Sequence, residues 1–354
     1  MKTPLNTVPE VELVEWLKSV GQPQYRAKQI LSWIHGKFAI SADEMKNIPA
    51  SLRAALDGEF ELSCCHVLES SRAGDGTEKF LLGLHDGGCV ECVIIPSRER
   101  TTFCLSTQVG CPVGCLFCAS GKGGFVRNLD ASEILGEFFI CCRRLGHLPD
   151  NIVFMGTGEP LMNYSNLISA MTVICDEKRV GMSPRRITVS TSGFVPGIRK
   201  FADEGRPWNL AVSLHSPTDK GRALLIPDKH RYPLEEICEA CGYYFKATGR
   251  IVTFEYTLIK GVNDSQEDAM KLAKIASECS AKVNLIPLNP VEKTSFSRPD
   301  SSQILKFESM LRSREIPVTV RIEKGDNIDA ACGQLRISHL DSKVLGLKCW
   351  ESKR

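Results

Sequence analysis

Three cysteines lie close together in the segment Cys111-Pro-Val-Gly-Cys115-Leu-Phe-Cys118. Gly110 and Gly121 flank this segment, which indicates a loop rather than a helix or a strand. Structural zinc and iron–sulfur sites usually take four ligands from the protein. Three thiolates can instead bind three corners of a cubic [4Fe-4S] cluster and leave the fourth iron open. Because an open iron can bind and activate a small molecule, the spacing favours a reactive cluster over a set of structural thiols.

Two other cysteine pairs have a C-x2-C spacing, in a chain that contains 16 cysteines. Cys89 and Cys92 lie in a run typical of a strand, and Cys238 and Cys241 lie in a run typical of a helix. Free cysteines are among the most buried residue types and pack as small apolar groups. We therefore expect these two pairs to be structural thiols and not metal ligands.

The composition is that of an ordinary globular protein, with 354 residues and a formal net charge of +2. No apolar run approaches the ~18 residues of a membrane helix, and the N-terminus has no signal-peptide core. We expect a cytoplasmic protein without membrane contact, in which cysteines stay reduced and a disulfide is transient. The balanced charge does not by itself indicate nucleic acid. Four basic clusters are expected to be solvated surface: Arg143-Arg144, Arg185-Arg186, Lys229-His230-Arg231 and Lys353-Arg354.

The hydrophobic pattern divides the chain into four parts. Residues 1–60 contain short amphipathic patterns and predict a small N-terminal helical accessory domain. Residues 61–98 alternate strand patterns with turns and predict a β-rich connecting segment. Residues 99–335 alternate strands with helices and predict the catalytic domain, and residues 336–354 are expected to form a C-terminal tail.

Strands and helices alternate from Thr101 to Ile322, which requires parallel strands joined by right-handed crossovers. One helix is marked at its start by Asp130 and Glu133, the pattern of a capping box, and at its end by Gly146. Six or so such units suit an α/β fold of the partial (β/α)6-barrel type. An open, doubly wound sheet is the alternative.

Small or polar residues follow the predicted strands, where folds of this kind place their chemistry. Glycines let the backbone approach a ligand closely, and Glu, Ser and Asn side chains can bind ammonium, carboxylate and hydroxyl groups. Together these strand ends predict a site for a nucleoside-like ligand with an amino-acid tail. The ends are Met155-Gly-Thr-Gly158-Glu159-Pro160, Ser190-Thr-Ser-Gly, Ser213-Leu214-His215-Ser and Asn289-Pro.

The cysteine spacing and the Gly-Glu-Pro motif together resemble the radical S-adenosylmethionine (SAM) superfamily. The resemblance implies a [4Fe-4S] cluster held by Cys111, Cys115 and Cys118, whose open iron binds the amino and carboxylate groups of SAM. In that superfamily the reduced cluster cleaves SAM to a 5′-deoxyadenosyl radical. The implied SAM contacts are Gly158, Glu159, Ser190, Ser213, Leu214, His215 and Asn289.

Two cysteines outside the loop narrow the resemblance to one family. Cys104 precedes the loop, and Cys332 lies in the very specific motif Asp-Ala-Ala-Cys332-Gly-Gln-Leu. With Glu91 in Val-Glu91-Cys-Val-Ile-Ile-Pro, these segments resemble the RlmN/Cfr family of 23S rRNA adenine methyltransferases over nearly the whole chain. The intact Gly-Glu-Pro and Leu-Ile-Pro-Leu-Asn-Pro motifs favour the members that methylate adenine C2. The alternative is the relative that methylates C8 and confers antibiotic resistance.

The resemblance implies a mechanism that uses two SAM molecules per turnover. Cys332 takes a methyl group from one SAM, and the radical from the second removes a hydrogen from that S-methyl group. The resulting carbon adds to adenine C2, and Cys104 then resolves the adduct through a transient disulfide with Cys332. Glu91 is the implied proton acceptor, with Cys104 as the alternative. Eleven other cysteines are expected to be structural: Cys64, Cys65, Cys89, Cys92, Cys141, Cys142, Cys175, Cys238, Cys241, Cys279 and Cys349.

The same resemblance implies the partners. The substrate would be an adenine of the peptidyl transferase centre of 23S rRNA, which is buried in the folded ribosome. We therefore expect action on free or partly assembled RNA, with the base out of its stack. The N-terminal helices and basic clusters would contact RNA by shape and phosphate charge. Some family members also modify tRNA. A flavodoxin- or ferredoxin-type electron donor and a monomeric enzyme complete these expectations.

Overall fold

The computed structural model describes residues 2–227, 231–289, 294–321, 324–325 and 328–335. The strands are β1 (Thr3–Pro4), β2 (Phe60–Glu61), β3 (Cys65–Arg72), β4 (Glu78–Leu84), β5 (Cys89–Pro96), β6 (Thr101–Cys104), β7 (Gln108–Gly110), β8 (Phe125–Asn128), β9 (Asn151–Phe154), β10 (Ile187–Thr191), β11 (Asn209–Ser213), β12 (Thr253–Leu258), β13 (Lys282–Pro287) and β14 (Val318–Val320). The α-helices are α1 (Glu10–Ser19), α2 (Arg26–Leu31), α3 (Ala50–Glu59), α4 (Ala119–Lys122), α5 (Ala131–Leu145), α6 (Tyr164–Cys175), α7 (Val195–Asp203), α8 (Asp219–Leu225), α9 (Leu234–Thr248), α10 (Gln266–Glu278) and α11 (Ser301–Arg312).

The N-terminal segment folds into a small helical unit. The strands β1 and β2 pair in parallel, so the two ends of this unit lie side by side. Helix α2 ends at Leu31 and continues as a π-helical turn over Ser32–Gly36. The His35 ring is buried and lies 5.7 Å from the ring of Phe139 on α5. The unit therefore packs directly against the rest of the chain.

One sheet of ten strands forms the centre of the molecule, in the order β14-β13-β12-β11-β10-β9-β6-β5-β4-β3. Seven strands of this sheet pair in parallel with one another and follow one another in chain order, namely β6, β9, β10, β11, β12, β13 and β14. A doubly wound sheet would reverse its order at a switch point, and this sheet has none. Strands that are added in one direction only, in chain order, are characteristic of a barrel, so the predicted α/β partial barrel is confirmed.

The segment between the helical unit and the parallel strands belongs to the same sheet. The strands β3, β4 and β5 form an antiparallel meander, and β5 pairs antiparallel with β6. The sequence predicted the strands but not that they extend the parallel sheet. Pairing between distant strands depends on packing and leaves no local signal. The domain boundaries named above stay predictions, and Cys349 and residues 336–354 lie outside the described residues, as do Lys229-His230 and Lys353-Arg354.

Helix α5 begins and ends as its sequence predicted. Oδ1 of Asp130 accepts the backbone N–H of Glu133 at 2.9 Å, and Oε2 of Glu133 accepts that of Asp130 at 3.0 Å. Gly146 ends the helix with φ +84°, a conformation that suits glycine. The predicted positions of Cys89 and Cys92 in a strand, and of Cys238 and Cys241 in a helix, are confirmed. No helix in the described part of the chain is both long and apolar enough to cross a membrane.

Candidate active site

A cavity lies at the carboxyl ends of the parallel strands; the empty space in it, counted together with the open solvent at its mouth, is about 980 Å³. The cysteine loop forms one wall, the ends of β9 to β13 form the floor, and the segment around Cys332 closes another side. Of the residues predicted to act here, those that line the cavity are Cys111, Cys115, Cys118, Gly158, Glu159, Ser190, Ser213, His215, Asn289 and Cys332.

A short hairpin holds the cysteine loop. The strands β7 and β8 pair antiparallel on either side of it, and the N–H of Cys111 donates to the carbonyl of Gly124 at 2.9 Å. Gly110 has φ +74°, and a Cβ at this position would lie 1.9 Å from the carbonyl oxygen of Gly124. The hairpin was not predicted, because strands of three and four residues show no clear alternation. It closes the loop tightly enough that residue 110 must be glycine.

The three loop thiols are half-buried and lie beside an apolar cluster that includes Val113 and Phe117. Burial raises the pKa of Cys111 to about 12, and burial likewise raises the pKa of Cys115 and of Cys118. Without metal these groups are therefore neutral thiols at physiological pH. A metal would bind them as thiolates and displace the protons.

The arrangement of the thiols fits a cluster of several irons. Among the described residues, no set of three His, Cys, Asp or Glu side chains converges closely enough to hold one metal ion. A cubic cluster does not require such convergence, since each of Cys111, Cys115 and Cys118 would bind a different iron. The loop also presents all three thiols to the same cavity. The residues present therefore fit a [4Fe-4S] group.

The Gly-Glu-Pro motif connects two strand ends under the cavity. Gly158 has φ +119°, and a Cβ there would lie 2.8 Å from side-chain atoms of Gln108 and Thr107. Glu159 is buried; its Oε2 accepts the N–H of Ser192 at 2.6 Å and its Oε1 that of Leu161 at 3.2 Å. Burial raises the pKa of Glu159. The carboxylate therefore holds the backbone of two loops at the floor of the cavity. Because Glu159 also lines the cavity, its oxygens can accept a further hydrogen bond from a ligand.

His215 is held in one orientation and one tautomer. Its φ is +56°, and its ring lies edge-on to Phe117 with 4.7 Å between centroids. Nδ1 accepts the N–H of Thr257 at 3.0 Å, so a neutral ring carries its proton on Nε2. Burial lowers the pKa of His215 to about 3, so the ring stays neutral. It can donate one hydrogen bond but cannot supply positive charge.

The hydroxyls of Ser190 and Ser213 lie 3.5 Å apart, which places two predicted SAM contacts together on neighbouring strands. Leu214 behaves differently: its side chain is packed in the hydrophobic core and does not line the cavity. Its N–H donates to the carbonyl of Glu255 at 3.0 Å. Contact between Leu214 and a cofactor stays a prediction.

Cys104 and Cys332 come together although they are far apart in the sequence. Cys104 is buried at the end of β6, in an apolar cluster with Val93, Ala330 and Leu335. Burial raises the pKa of Cys104 to about 12, and the nearby sulfur of Cys332 raises it further. Residues on either side of Cys332 thus pack against Cys104, and Cys332 itself lies near Cys118 of the cysteine loop.

Two hydrogen bonds tie the Cys332 segment to that loop. The N–H of Ala119 donates to the carbonyl of Gly333 at 2.7 Å, and the hydroxyl of Ser120 donates to the carbonyl of Leu335 at 2.7 Å. Both donors follow Cys118 directly at the start of α4. The segment therefore depends on the loop for its position.

Glu91 does not line the cavity. It is buried on β5, where its Oε1 forms an ion pair with Nζ of Lys79 at 3.0 Å. The Ser106 hydroxyl donates to the Glu91 carbonyl at 2.7 Å and accepts the N–H of Thr157 at 2.8 Å. These bonds join β5 to the strand end that carries Gly-Glu-Pro. The role of Glu91 as proton acceptor stays a prediction.

Two charged residues near Cys332 were missed from the sequence. Glu255 of β12 lines the cavity, and burial raises its pKa, while its Oε2 accepts from Nδ2 of Asn284 at 2.7 Å. Arg321 lies beside Cys332 and Glu255. Burial disfavours the charged form of Arg321, but the interactions with these two groups favour it more, so the pKa of Arg321 is raised. A carboxylate inside an otherwise apolar strand was the signal that could have identified Glu255.

The comparisons with known proteins agree with this geometry. Residues 105–273 match the radical SAM superfamily. Residues 5–62 match the ribosomal RNA large subunit methyltransferase N-terminal domain. The first match covers the cysteine loop, the Gly-Glu-Pro motif and most of the parallel strands. The class of the protein is therefore that of radical SAM enzymes.

Relatives of similar length specify the class further. A probable dual-specificity RNA methyltransferase RlmN of Lachnoclostridium phytofermentans is 43% identical over 94% of this chain and 94% of its own. The corresponding Rhodopirellula baltica protein is 44% identical over 92% of this chain and 88% of its own. The crystal structure of a radical SAM methyltransferase from Sphaerobacter thermophilus superimposes with a TM-score of 0.91, at 44% identity, and covers 94% of this chain and 99% of that one. The chain belongs to the RlmN family of radical SAM methyltransferases.

Proposed function

We propose that this enzyme methylates C2 of an adenine in the peptidyl transferase centre of 23S rRNA, and C2 of an adenine in tRNA. The observation that carries the proposal is the meeting of two groups of thiols at one cavity. Three of them line the cavity from the cysteine loop, and Cys332 lines it from the segment bonded to that loop, with Cys104 close to Cys332. A radical SAM enzyme without covalent catalysis would need only the first group.

The cofactors would lie against the wall formed by the cysteine loop and the floor formed by the strand ends. Cys111, Cys115 and Cys118 would hold a [4Fe-4S] cluster, and SAM would lie against Gly158, Glu159, Ser190, Ser213 and Asn289. When bound, the cluster and SAM supply a carbon-centred radical that can remove a hydrogen atom. The neutral His215 ring would orient the ligand through its Nε2–H without repelling its positive sulfonium.

The two cysteines would direct that chemistry to carbon. Adenine C2 lies between two ring nitrogens and is too electron-poor to attack a methyl group. Cys332 would therefore accept a methyl group first, as a thiolate, and lose one hydrogen atom from it. The methylene carbon bonds to C2; the C2 proton and one electron then leave. The thiolate of Cys104 attacks the sulfur of Cys332, so that an S–S bond forms and the carbon–sulfur bond breaks, and the released carbon takes up a proton to become the methyl group.

The proton from C2 needs an acceptor. Glu91 is our proposal, because its carboxylate is buried on β5, the strand that pairs with β6 and hence with Cys104. Cys104 is the alternative acceptor. Glu91→Gln distinguishes them, since it should accumulate the covalent enzyme–RNA adduct only when Glu91 takes the proton.

The RNA would reach the cavity with its target base flipped out. The N-terminal unit packs against α5 beside the catalytic sheet and would bind RNA by shape. We further propose that the enzyme works as a monomer, on free or partly assembled RNA, and takes electrons from a flavodoxin- or ferredoxin-type protein.

The test is the identity of the modified base. Anaerobically reconstituted enzyme, SAM and a 23S rRNA transcript should yield 2-methyladenine by mass spectrometry and NMR, and tRNA should yield the same base. 8-Methyladenine as the sole product would establish the C8 alternative. A colourless protein that never cleaves SAM would contradict the radical mechanism itself. Cys332→Ala is the control and should produce no methylated RNA.

A further inference from the structure

Arg222 is a buried arginine that none of the roles above involves. It lies on α8 with 0% of its surface exposed. Its Nη2 donates to the carbonyl of Ser192 at 2.9 Å and its Nη1 to the carbonyl of Leu214 at 3.4 Å. Its Nε–H has no hydrogen-bond partner among the described residues. A charge buried in this way is costly unless an opposite charge compensates it.

The surroundings of Arg222 provide little negative charge. The charged and titratable groups near it are Asp219, Arg231, Cys115, Cys238 and His215. Asp219 is exposed at the start of α8, where its Oδ1 accepts the N–H of Leu234 at 2.9 Å. Burial lowers the pKa of Arg222 to about 10, which leaves the guanidinium charged at neutral pH. Arg222 is therefore a permanent cation whose hydrogen bonds go to backbone carbonyls.

The helix that carries Arg222 is packed against the cysteine loop. The N–H of Leu116 donates to the carbonyl of Leu225 at 3.0 Å, and Leu225 shares an apolar cluster with Phe117. Arg222 precedes Leu225 by one turn of α8 and interacts electrostatically with Cys115. Its other contact, the carbonyl of Ser192, belongs to the loop that Glu159 also holds. The cation is thus held near one of the three loop thiols, Cys115.

Resting on the proposed function, in which these thiols hold a [4Fe-4S] cluster, we propose that Arg222 is the buried counter-charge of that cluster and raises its reduction potential. Three thiolates give the cluster a net negative charge, which grows when an electron is added. A fixed cation in a low-dielectric interior therefore stabilises the reduced form more than the oxidised form. The same attraction offsets the cost of burying the guanidinium. Arg222 acts through charge and does not touch the cofactor cavity.

A redox titration followed by electron paramagnetic resonance tests this role. In Arg222→Gln, the ratio of reduced to oxidised cluster at the wild-type midpoint potential should fall about tenfold, a shift of about 59 mV for one electron. Arg222→Lys keeps the charge and should stay close to wild type. Arg179→Gln is the matched control, because Arg179 also donates to backbone carbonyls, those of Asn6 and Val8, far from the loop.

The outcomes separate this inference from the proposed function. A wild-type protein that takes up no cluster contradicts the function. A wild-type cluster whose potential is unchanged in Arg222→Gln contradicts only the role of Arg222, and equal shifts in the Gln and Lys variants contradict it too, because packing would then be the cause. If Arg222→Gln does not fold, Arg222→Lys decides alone. Burial lowers the pKa of a lysine, so the lysine in Arg222→Lys loses its charge as the pH rises. The reduction potential of the cluster in this variant must then fall with pH more steeply than in wild type. Parallel pH profiles of the two potentials overturn the proposal.

Discussion

Asn289 donates a hydrogen bond from Nδ2 to the carbonyl oxygen of Cys332 at 2.8 Å. Asn289 follows β13 at the carboxyl edge of the sheet, and both residues line the cavity. The bond joins the sheet to the segment that α4 holds from the other side through Gly333. The position of the Cys332 thiol is therefore set jointly by the sheet and by the cysteine loop.

Asn289→Ala should loosen this segment. One hydrogen bond of this type is worth about 1 kcal/mol, so methyl transfer to Cys332 should slow roughly fivefold, and alkylation of Cys332 in the metal-free protein should speed up. Both rates can be followed by mass spectrometry of the peptide that contains Cys332. Asn209→Ala is the control, since Asn209 bonds the carbonyl of Arg185 at the opposite end of the sheet. Equal alkylation rates in the two variants would contradict the prediction.

Cys104→Ala should trap the enzyme on its RNA, because no second thiol remains to attack the sulfur of Cys332. Labelled RNA should then migrate with the protein on a denaturing gel and be released by ribonuclease. Cys332→Ala should form no such adduct, since it offers no methyl acceptor. Cys142→Ala, which alters a buried core thiol, should turn over as wild type does. Methylation of RNA by Cys332→Ala would rule out the mechanism with two cysteines.

Gly158→Ala should weaken SAM binding at least about tenfold, which corresponds to about 1.4 kcal/mol. The new Cβ would lie 2.8 Å from Gln108 and Thr107, at a φ of +119° that other residues rarely adopt. Relief of this contact must displace the strand end that lines the cavity. The measurement is SAM affinity by calorimetry on the reconstituted protein.

Gly146→Ala separates backbone strain from the contact at Gly158. Gly146 also has a positive φ, +84°, but a Cβ there meets no atom within 4 Å. This variant should lose about 1 kcal/mol of stability and keep its SAM affinity. Equal SAM affinities for the two variants would show that the close approach at Gly158 is unimportant.

His35 should make the protein less stable in mild acid. Burial, followed by the charge of Arg179, lowers the pKa of His35 to about 4. The unfolded chain binds a proton near pH 6.5 while the folded protein does not. The contribution of the neutral His35 ring to the free energy of unfolding is therefore complete above about pH 6.5 and is lost as the pH falls towards 4. Linkage predicts a loss of about 2 kcal/mol between pH 7 and pH 5.

Urea unfolding of wild type and His35→Gln at both pH values isolates this effect. Subtracting the change in unfolding free energy of one protein from that of the other cancels the contributions of other titrating groups. One of these is Glu137, whose pKa is raised by burial and whose contribution to stability therefore grows as the pH falls. Wild type should lose about 2 kcal/mol more than His35→Gln. His147→Gln, at an exposed position, should retain the wild-type pH dependence. Equal losses in wild type and His35→Gln would contradict the burial of a neutral ring.

Patterns of a few residues were sufficient to predict those features whose hydrogen bonds lie within one helix or turn. The capping box of α5 and its terminating Gly146 depend on hydrogen bonds within one helix, so the bounds of the helix were predictable. The parallel direction of the strands also followed from their alternation with helices, but their order, which separates a barrel from a doubly wound sheet, came from the structure. The π-helical turn at Ser32–Gly36 and the hairpin of β7 and β8 were missed. Each is stabilised by its surroundings more than by its own residue pattern.

The sequence by itself determined which thiols share a loop, since three cysteines in one short segment must lie together in any fold. It also determined that polar strand ends meet at one edge, because parallel strands have a common direction. Only the tertiary structure decided that Arg222 lies near Cys115 and that Arg321 lies near both Cys332 and Glu255. These neighbours come from separate helices and strands. Their proximity depends on packing of the whole sheet and its helices, for which no short stretch of sequence carries a pattern.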